Sequence, residues 1–213
     1  MGAAMAGTLR GRGHELVLWN RDKAKATDLA RRLGAGVAAS PAEAASRADT
    51  ILSSLANDEA LRAVYLGPGG VLEGAGPATV AVDTSTVDPE TIAEVGAAMD
   101  QCGAGFVDCP VSGSVAAVEA GTLTIMAGGD PRLVERVRPV LDALASKVVL
   151  TGPRGSGAAM KLAVNGLVHG LNIALSEALV LAERAGVDRA IAYEVFASGA
   201  GGAPFVRRRR GSW

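Results

Sequence analysis

A lysine inside an apolar helix is costly to bury unless something compensates, and Lys161 stands in such a helix. The stretch GSGAAMKLAVNG, Gly155–Gly166, places Lys161 and Asn165 four residues apart, which puts them on one helix face. Burial disfavours the charged ammonium and lowers its pKa. A lysine so treated can accept and return a proton near neutral pH. The plain alternative is a side chain that reaches water along its own aliphatic stem. His169 lies two turns beyond, roughly on the same side, and reads more readily as structural; His14 reads as a turn residue. A second stretch, DTSTVDPE (Asp83–Glu90), sets Ser85 and Thr86 at the C-terminal end of an expected strand. Ligands of open α/β sheets bind at that edge, although Ser and Thr there serve equally as helix caps. A third, DCPVSGSVAAVEAGTLTIMAGGD (Asp108–Asp130), presents Ser112, Gly113 and Ser114 at an expected helix start. Backbone N–H groups and hydroxyls so arranged can hold a carboxylate, or can form an ordinary strand-to-helix turn.

The opening residues, MGAAMAGTLRGRGHELVLWNR, read as a helix running into a strand. A dinucleotide fold needs a strand, a Gly-x-Gly-x-x-Gly turn, a helix, a second strand and then a residue that reads the ribose. Gly2 stands where the third glycine would, and Asn20-Arg21 stands where the ribose reader is expected. An acidic residue there would suit the 2′-hydroxyl of NAD. Asn20, Arg21 and, one turn on, Lys25 instead suit a 2′-phosphate, so NADP(H) is expected ahead of NAD(H). Taken alone, an arginine after a strand is more often simply solvated.

The elements that must carry these residues alternate along the first 150 or so positions. Strands are expected at Leu16–Trp19, Val37–Ala39, Thr50–Leu55, Thr79–Asp83, Gly105–Val111, Thr122–Ala127 and Val148–Leu150, and helices at Ala3–Arg12, Asp22–Leu33, Pro41–Arg47, Asp58–Tyr65, Pro89–Met99 and Pro131–Ala145. Ser40 and Asp130 are expected N-caps, each followed by proline at the first helical position. Such alternation implies βαβ units on a mostly parallel, doubly wound sheet. From Gly157 to Ala185 only Gly166 and Gly170 interrupt an apolar helix, expected to be buried all round. Asp188 opens a further helix. The domain boundary is placed near residue 152, giving a sheet domain over 1–152 and an incomplete all-α domain over 153–213. Sixty residues of helix cannot cover themselves, so a partner chain or further sequence is expected.

Composition narrows the field. The 213-residue chain is 49% hydrophobic with a formal net charge of -1, so no global field favours nucleic acid or an acidic membrane surface. The run Arg207–Arg210 reads as a solvated tail. No apolar run is expected to reach the ~18 residues of a membrane span, and no secretory signal is evident. Cys102 and Cys109 lack metal or redox spacing and read as free thiols of a reducing cytoplasm.

Together the four stretches resemble the β-hydroxyacid dehydrogenase family, the group of 3-hydroxyisobutyrate dehydrogenase and the glyoxylate/succinic semialdehyde reductases, related to 6-phosphogluconate dehydrogenase. DTSTVDP looks like its cofactor- and substrate-adjacent loop. DCPVSGSVAAVEAGTLTIMAGG looks like its substrate signature, with Ser114 where Gly is usual, and GSGAAMKLAVN looks like its catalytic segment. The resemblance implies Lys161 as acid/base, Asn165 as a substrate-holding partner, a small carboxylate substrate held by Ser112, Gly113 and Ser114, and homo-oligomers formed through the helical domain. It also implies a strand and two glycines ahead of Met1 and more helical sequence after Trp213. The chain as given is therefore expected to bind dinucleotide weakly or not at all. The alternatives are an imine reductase, against which Lys161 argues, and a non-catalytic dinucleotide-binding remnant.

Overall fold

The computed structural model describes residues 1–199, so the Arg207–Arg210 run lies outside the described residues. Two compact units divide the chain at Lys161/Leu162. The first contains α1 (Gly2–Gly11), β1 (Val17–Leu18), α2 (Lys23–Leu33), β2 (Gly36–Val37), α3 (Pro41–Ser46), β3 (Thr50–Ser53), α4 (Asp58–Leu66), the single turn α5 (Val71–Gly74), β4 (Val80–Asp83), α6 (Pro89–Gln101), β5 (Gly105–Asp108), β6 (Val111–Ser112), α7 (Val115–Glu119), β7 (Leu123–Gly128), α8 (Pro131–Arg136), α9 (Arg138–Leu144) and β8 (Ala145–Gly152). It also holds the start of α10 (Ser156–Arg184), which runs on into the second unit and is followed by α11 (Arg189–Ser198).

β3, β4 and β5 form a parallel core in which Ser53 is level with Asp83, and Asp83 with Asp108. Their side chains alternate between two apolar layers. Val80, Val82 and Val107 join Met5, Ile125 and Leu141 on one side, while Ala81 and Phe106 join Leu61, Tyr65, Ile92 and Met99 on the other. A sheet covered on both faces explains why these strands read as continuous apolar runs. Tyr65 and Phe106 meet edge-to-face at 5.6 Å.

The sheet departs from the parallel pattern at β7, which runs antiparallel to β5 and β6 and parallel to β8. The expected strand Gly105–Val111 breaks at Cys109-Pro110, since proline has no N–H for a ladder. The expected helix Pro131–Ala145 is two helices, because Pro139 can stand only in a first turn; α8 closes on Val137 and α9 restarts there. β1 and β2 pair with each other in a separate two-stranded sheet. Val17 of β1 and Thr50 of β3 border one groove of about 440 Å³, with Arg10 and Arg47 on its walls.

In the second unit, Leu175 and Leu179 of α10 pack on Ala192 and Tyr193 of α11. The expectation of a helix buried all round is not met. Leu167, Ile173 and Leu181 are 65%, 59% and 72% exposed, since α11 covers one side of α10 only. By length and mean hydropathy α10 is also long and apolar enough to cross a membrane, where no such run was expected. Lys161, Asn165, His169, Asn172 and Glu177 interrupt its apolar surface.

Candidate functional site

The parallel strands β3, β4 and β5 bring their C-terminal ends to one edge of the first unit, where Ser53, Asp83 and Asp108 stand level. Gly2 opens α1 beside the end of β3; a Cβ on it would lie 3.4 Å from Ser54 Cβ, so helix and strand end are in close contact. β1 ends just before Trp19-Asn20-Arg21. Asn20 is exposed, and its Oδ1 accepts from the Asp22 N–H at 2.9 Å. Asp22 is the one acidic residue near the expected ribose reader, and it is occupied. Its carboxylate caps α2 by accepting from Ala24 N–H and Lys25 N–H, and it stands 3.7 Å from Lys25 Nζ. Lys25 is thus partly neutralised, whereas Arg21 is exposed and makes no ion pair among the described residues. The fit to a phosphate-bearing ribose rests on Arg21.

β4 ends in Asp83, fully buried, and the next turn separates the two hydroxyls expected to serve the cofactor. Ser85 points inward. Its hydroxyl donates to Asp83 Oδ1 at 2.8 Å and accepts from Leu55 N–H at 2.9 Å. With both functions used and the residue buried, Ser85 shapes the loop and offers no free hydroxyl to a ligand. Thr86 is the exposed member of the pair. Asp83 Oδ1 also accepts from Ser53 Oγ at 2.6 Å, and Ser53 Oγ lies 2.9 Å from the buried Tyr65 hydroxyl. These partners resist, but do not cancel, the effect of burial, which raises the Asp83 carboxyl to about 6. Burial likewise pushes the Tyr65 phenol and the Cys109 thiol upward.

In the unfolded chain Asp83 ionises near the ordinary aspartate value, so between pH ~4 and 6 the folded state holds the extra proton. Stability should therefore fall as pH rises through that window. Asp83→Asn should flatten the fall, and thermal melts at half-unit steps across it would show this. An unchanged slope in the variant would place the titration elsewhere.

The third stretch forms a short ledge. Ser112 ends β6, level with Thr124 of β7. Gly113 follows at φ +149, where a Cβ would meet Leu123 Cδ2 at 2.6 Å, so both conformation and space demand glycine. Ser114 caps α7, its Oγ accepting from Ala117 N–H at 3.4 Å. Gly113 and Ser114 are exposed and Ser112 half-buried.

Lys161 stands 1.5 turns into α10, half-buried, with its pKa lowered by burial. Asn165 is also half-buried, one turn on along the same helix, while His169 is exposed. The start of α10 is fastened to the strand edge by a residue that the sequence reading passed over. Asp108, the last residue of β5, accepts from Gly155 N–H at 2.9 Å and from Ala158 N–H at 2.8 Å. Only the register of β5 against the helix exposes this; the sequence signal, an aspartate ending an apolar strand 47 residues ahead of the helix, is faint. Among the described residues no cluster of His, Cys, Asp and Glu is arranged for a metal.

Parallel strands alternating with helices, a helix start beside the end of β3, and an arginine after β1 that is unpaired among the described residues define a dinucleotide-binding fold. The chain belongs to the β-hydroxyacid dehydrogenase family. Residues 1–152 match the NAD binding domain of 6-phosphogluconate dehydrogenase, and residues 155–212 match the NAD-binding domain of NADP-dependent 3-hydroxyisobutyrate dehydrogenase. Glyoxylate/succinic semialdehyde reductase 1 of Arabidopsis thaliana is 38% identical over 188 residues, 88% of this chain and 65% of that protein. Among solved structures, Mycobacterium tuberculosis 3-hydroxyisobutyrate dehydrogenase with L-serine is 34% identical with a TM-score of 0.88, over 99% of this chain and 71% of that one. Psf3 in complex with NADP+ and 2-OPP is 29% identical with a TM-score of 0.87, over 99% and 74%. The chain thus spans roughly two thirds to three quarters of these proteins' lengths.

Proposed function

We propose that this chain serves an NAD(P)-dependent oxidoreductase that interconverts a small β-hydroxy acid and the corresponding aldehyde or keto acid. The observation that carries this reading is a half-buried lysine of lowered pKa on a helix fastened to the strand that leads into the Ser112–Ser114 ledge. The nicotinamide supplies or accepts the hydride when bound. Gly2 and the start of α1 would lie beside its pyrophosphate, Arg21 beside a 2′-phosphate, and Thr86 beside the loop it crosses. Ser112, Gly113 and Ser114 would hold the substrate carboxylate, and Asn165 the reacting oxygen. Lys161 would take the hydroxyl proton in oxidation and return it in reduction. NADPH consumption with 3-oxopropanoate, its 2-methyl homologue and a carboxylate-free aldehyde of similar size tests the reading. Turnover of the two acids well above the neutral aldehyde is expected, and equal turnover of all three would count against a carboxylate-binding ledge.

NADP(H) is the favoured cofactor on this reading. Arg21→Asp removes a bidentate partner for phosphate, and charge-assisted bonds of this kind are worth about 1.5–3 kcal/mol. The KM for NADPH should rise on the order of 10- to 100-fold while that for NADH changes little. Equal effects on both would make Arg21 a surface residue only.

We further propose that the protein self-associates through its helical unit in the cytoplasm, without nucleic-acid or membrane partners. Leu167, Ile173 and Leu181 of α10 and Ile191 and Val195 of α11 are large apolar side chains left exposed, and such exposure marks association surfaces. Light scattering at tens of micromolar should report a dimer or larger species; a clean monomer would contradict this.

A further inference from the structure

We infer that Asp108 is the positioning residue that sets Lys161 against the substrate ledge. The inference rests on the acid/base reading of Lys161 and adds how that lysine is held. Asp108 is wholly buried, yet its carboxylate is spent on the start of one helix. Oδ1 takes Gly155 N–H and Oδ2 takes Ala158 N–H, and Lys161 follows Ala158 by three residues, on the same side of α10. The seat is built for it. A Cβ on Gly128 would lie 2.6 Å from Asp108 Oδ1, and one on Gly157 would lie 2.8 Å from Oδ2 and 2.5 Å from Met126 O. Two glycines thus admit the carboxylate between β7 and the helix. The preceding turn is gripped from outside as well, where Arg154 donates to both Asp100 oxygens at 2.8 Å. In the other direction Asp108 leads through Cys109 and Pro110 to Val111 and Ser112. One side chain therefore ties the strand that continues into Ser112–Ser114 to the turn that carries Lys161. A carboxylate accepting helix N-terminal amides is stabilising there, and an amide in its place would turn an N–H against one of those donors.

The test reads the lysine itself. Acylation of the protein by acetic anhydride across pH, followed peptide by peptide in a mass spectrometer, gives an apparent pKa for Lys161 with exposed Lys23, Lys25 and Lys147 as references. In the unsubstituted protein Lys161 should titrate below the other three. In Asp108→Asn its value should rise to join theirs as the helix start loosens and water reaches it, and turnover should drop with little change in KM for NADPH. Leu141→Ala, a core truncation in α9, should leave the Lys161 value in place. If Asp108→Asn gives no cooperative melt, Asp108→Ser repeats the test. A Lys161 value unchanged in the Asp108 variants would overturn the inference and leave the acid/base reading standing. A fall instead of a rise would mean that Asp108 acts through its charge alone, and an equal rise in Leu141→Ala would mean general loosening; either overturns it. A wild-type Lys161 that titrates with the reference lysines would overturn the acid/base reading, and this inference with it.

Discussion

Lys161→Met is expected to lower turnover by ~10²–10⁴-fold, the usual worth of a general acid/base, while NADPH affinity stays within a few-fold. Methionine keeps the length and the apolar stem, so the packing of α10 is retained and the proton acceptor alone is lost. The lowered pKa gives the pH signature. Oxidation needs the neutral amine, so kcat/KM in that direction should rise with pH through the lysine's folded pKa. Reduction needs the ammonium, so the opposite limb should appear. Both limbs should vanish in the methionine variant. Lys161→Arg should be nearly as poor, because a guanidinium keeps its proton at any working pH. Retention of more than about a tenth of the activity, well above the loss expected for a general acid/base, would make Lys161 structural and return attention to His169.

The second large effect belongs to Gly113. Its φ of +149 is a region that other residues rarely occupy, and forcing one there costs on the order of 1–3 kcal/mol. The added Cβ would meet Leu123 Cδ2 at 2.6 Å and Ala117 Cβ at 3.1 Å. Leu123 can yield only within a packed core, so the ledge must move. Gly113→Ala should lower the melting temperature by about 2–12 °C. It should also raise the KM for the acid substrate about tenfold or more, as 1.4 kcal/mol of misfit implies, with NADPH affinity unchanged. A variant that melts early yet binds the acid normally would remove the ledge from the substrate site.

Much of this architecture was open to reading along the chain. Ser40, Asp130 and Asp188 all cap the helices assigned to them, because the cap is a local bargain between one side chain and the next turn. The apolar strands and the long α10 followed from runs and periods. What stayed hidden depends on residues distant in sequence. Ser53, Asp83 and Asp108 become a row only when three strands are in register. Ser85 read equally as a ligand hydroxyl or a helix cap, and its partners Leu55 and Asp83 lie 30 and 2 residues away in sequence. The exposure of Leu167, Ile173 and Leu181 reflects which surfaces have a neighbour, and no periodicity encodes that. Pro139, by contrast, was a readable break, and the expected single helix across it gave proline too little weight.

Hydride transfer to a small oxo acid is followed by the isotope that the nicotinamide carries. The protein is incubated with NADPH carrying deuterium at nicotinamide C4 on one face at a time, together with 2-methyl-3-oxopropanoate, and the product is read by mass spectrometry. Deuterium is expected on the new carbinol carbon from one face only, with the signal lost in Lys161→Met. NADPH consumed with no deuterium in the product, or the same yield from the methionine variant, would contradict it.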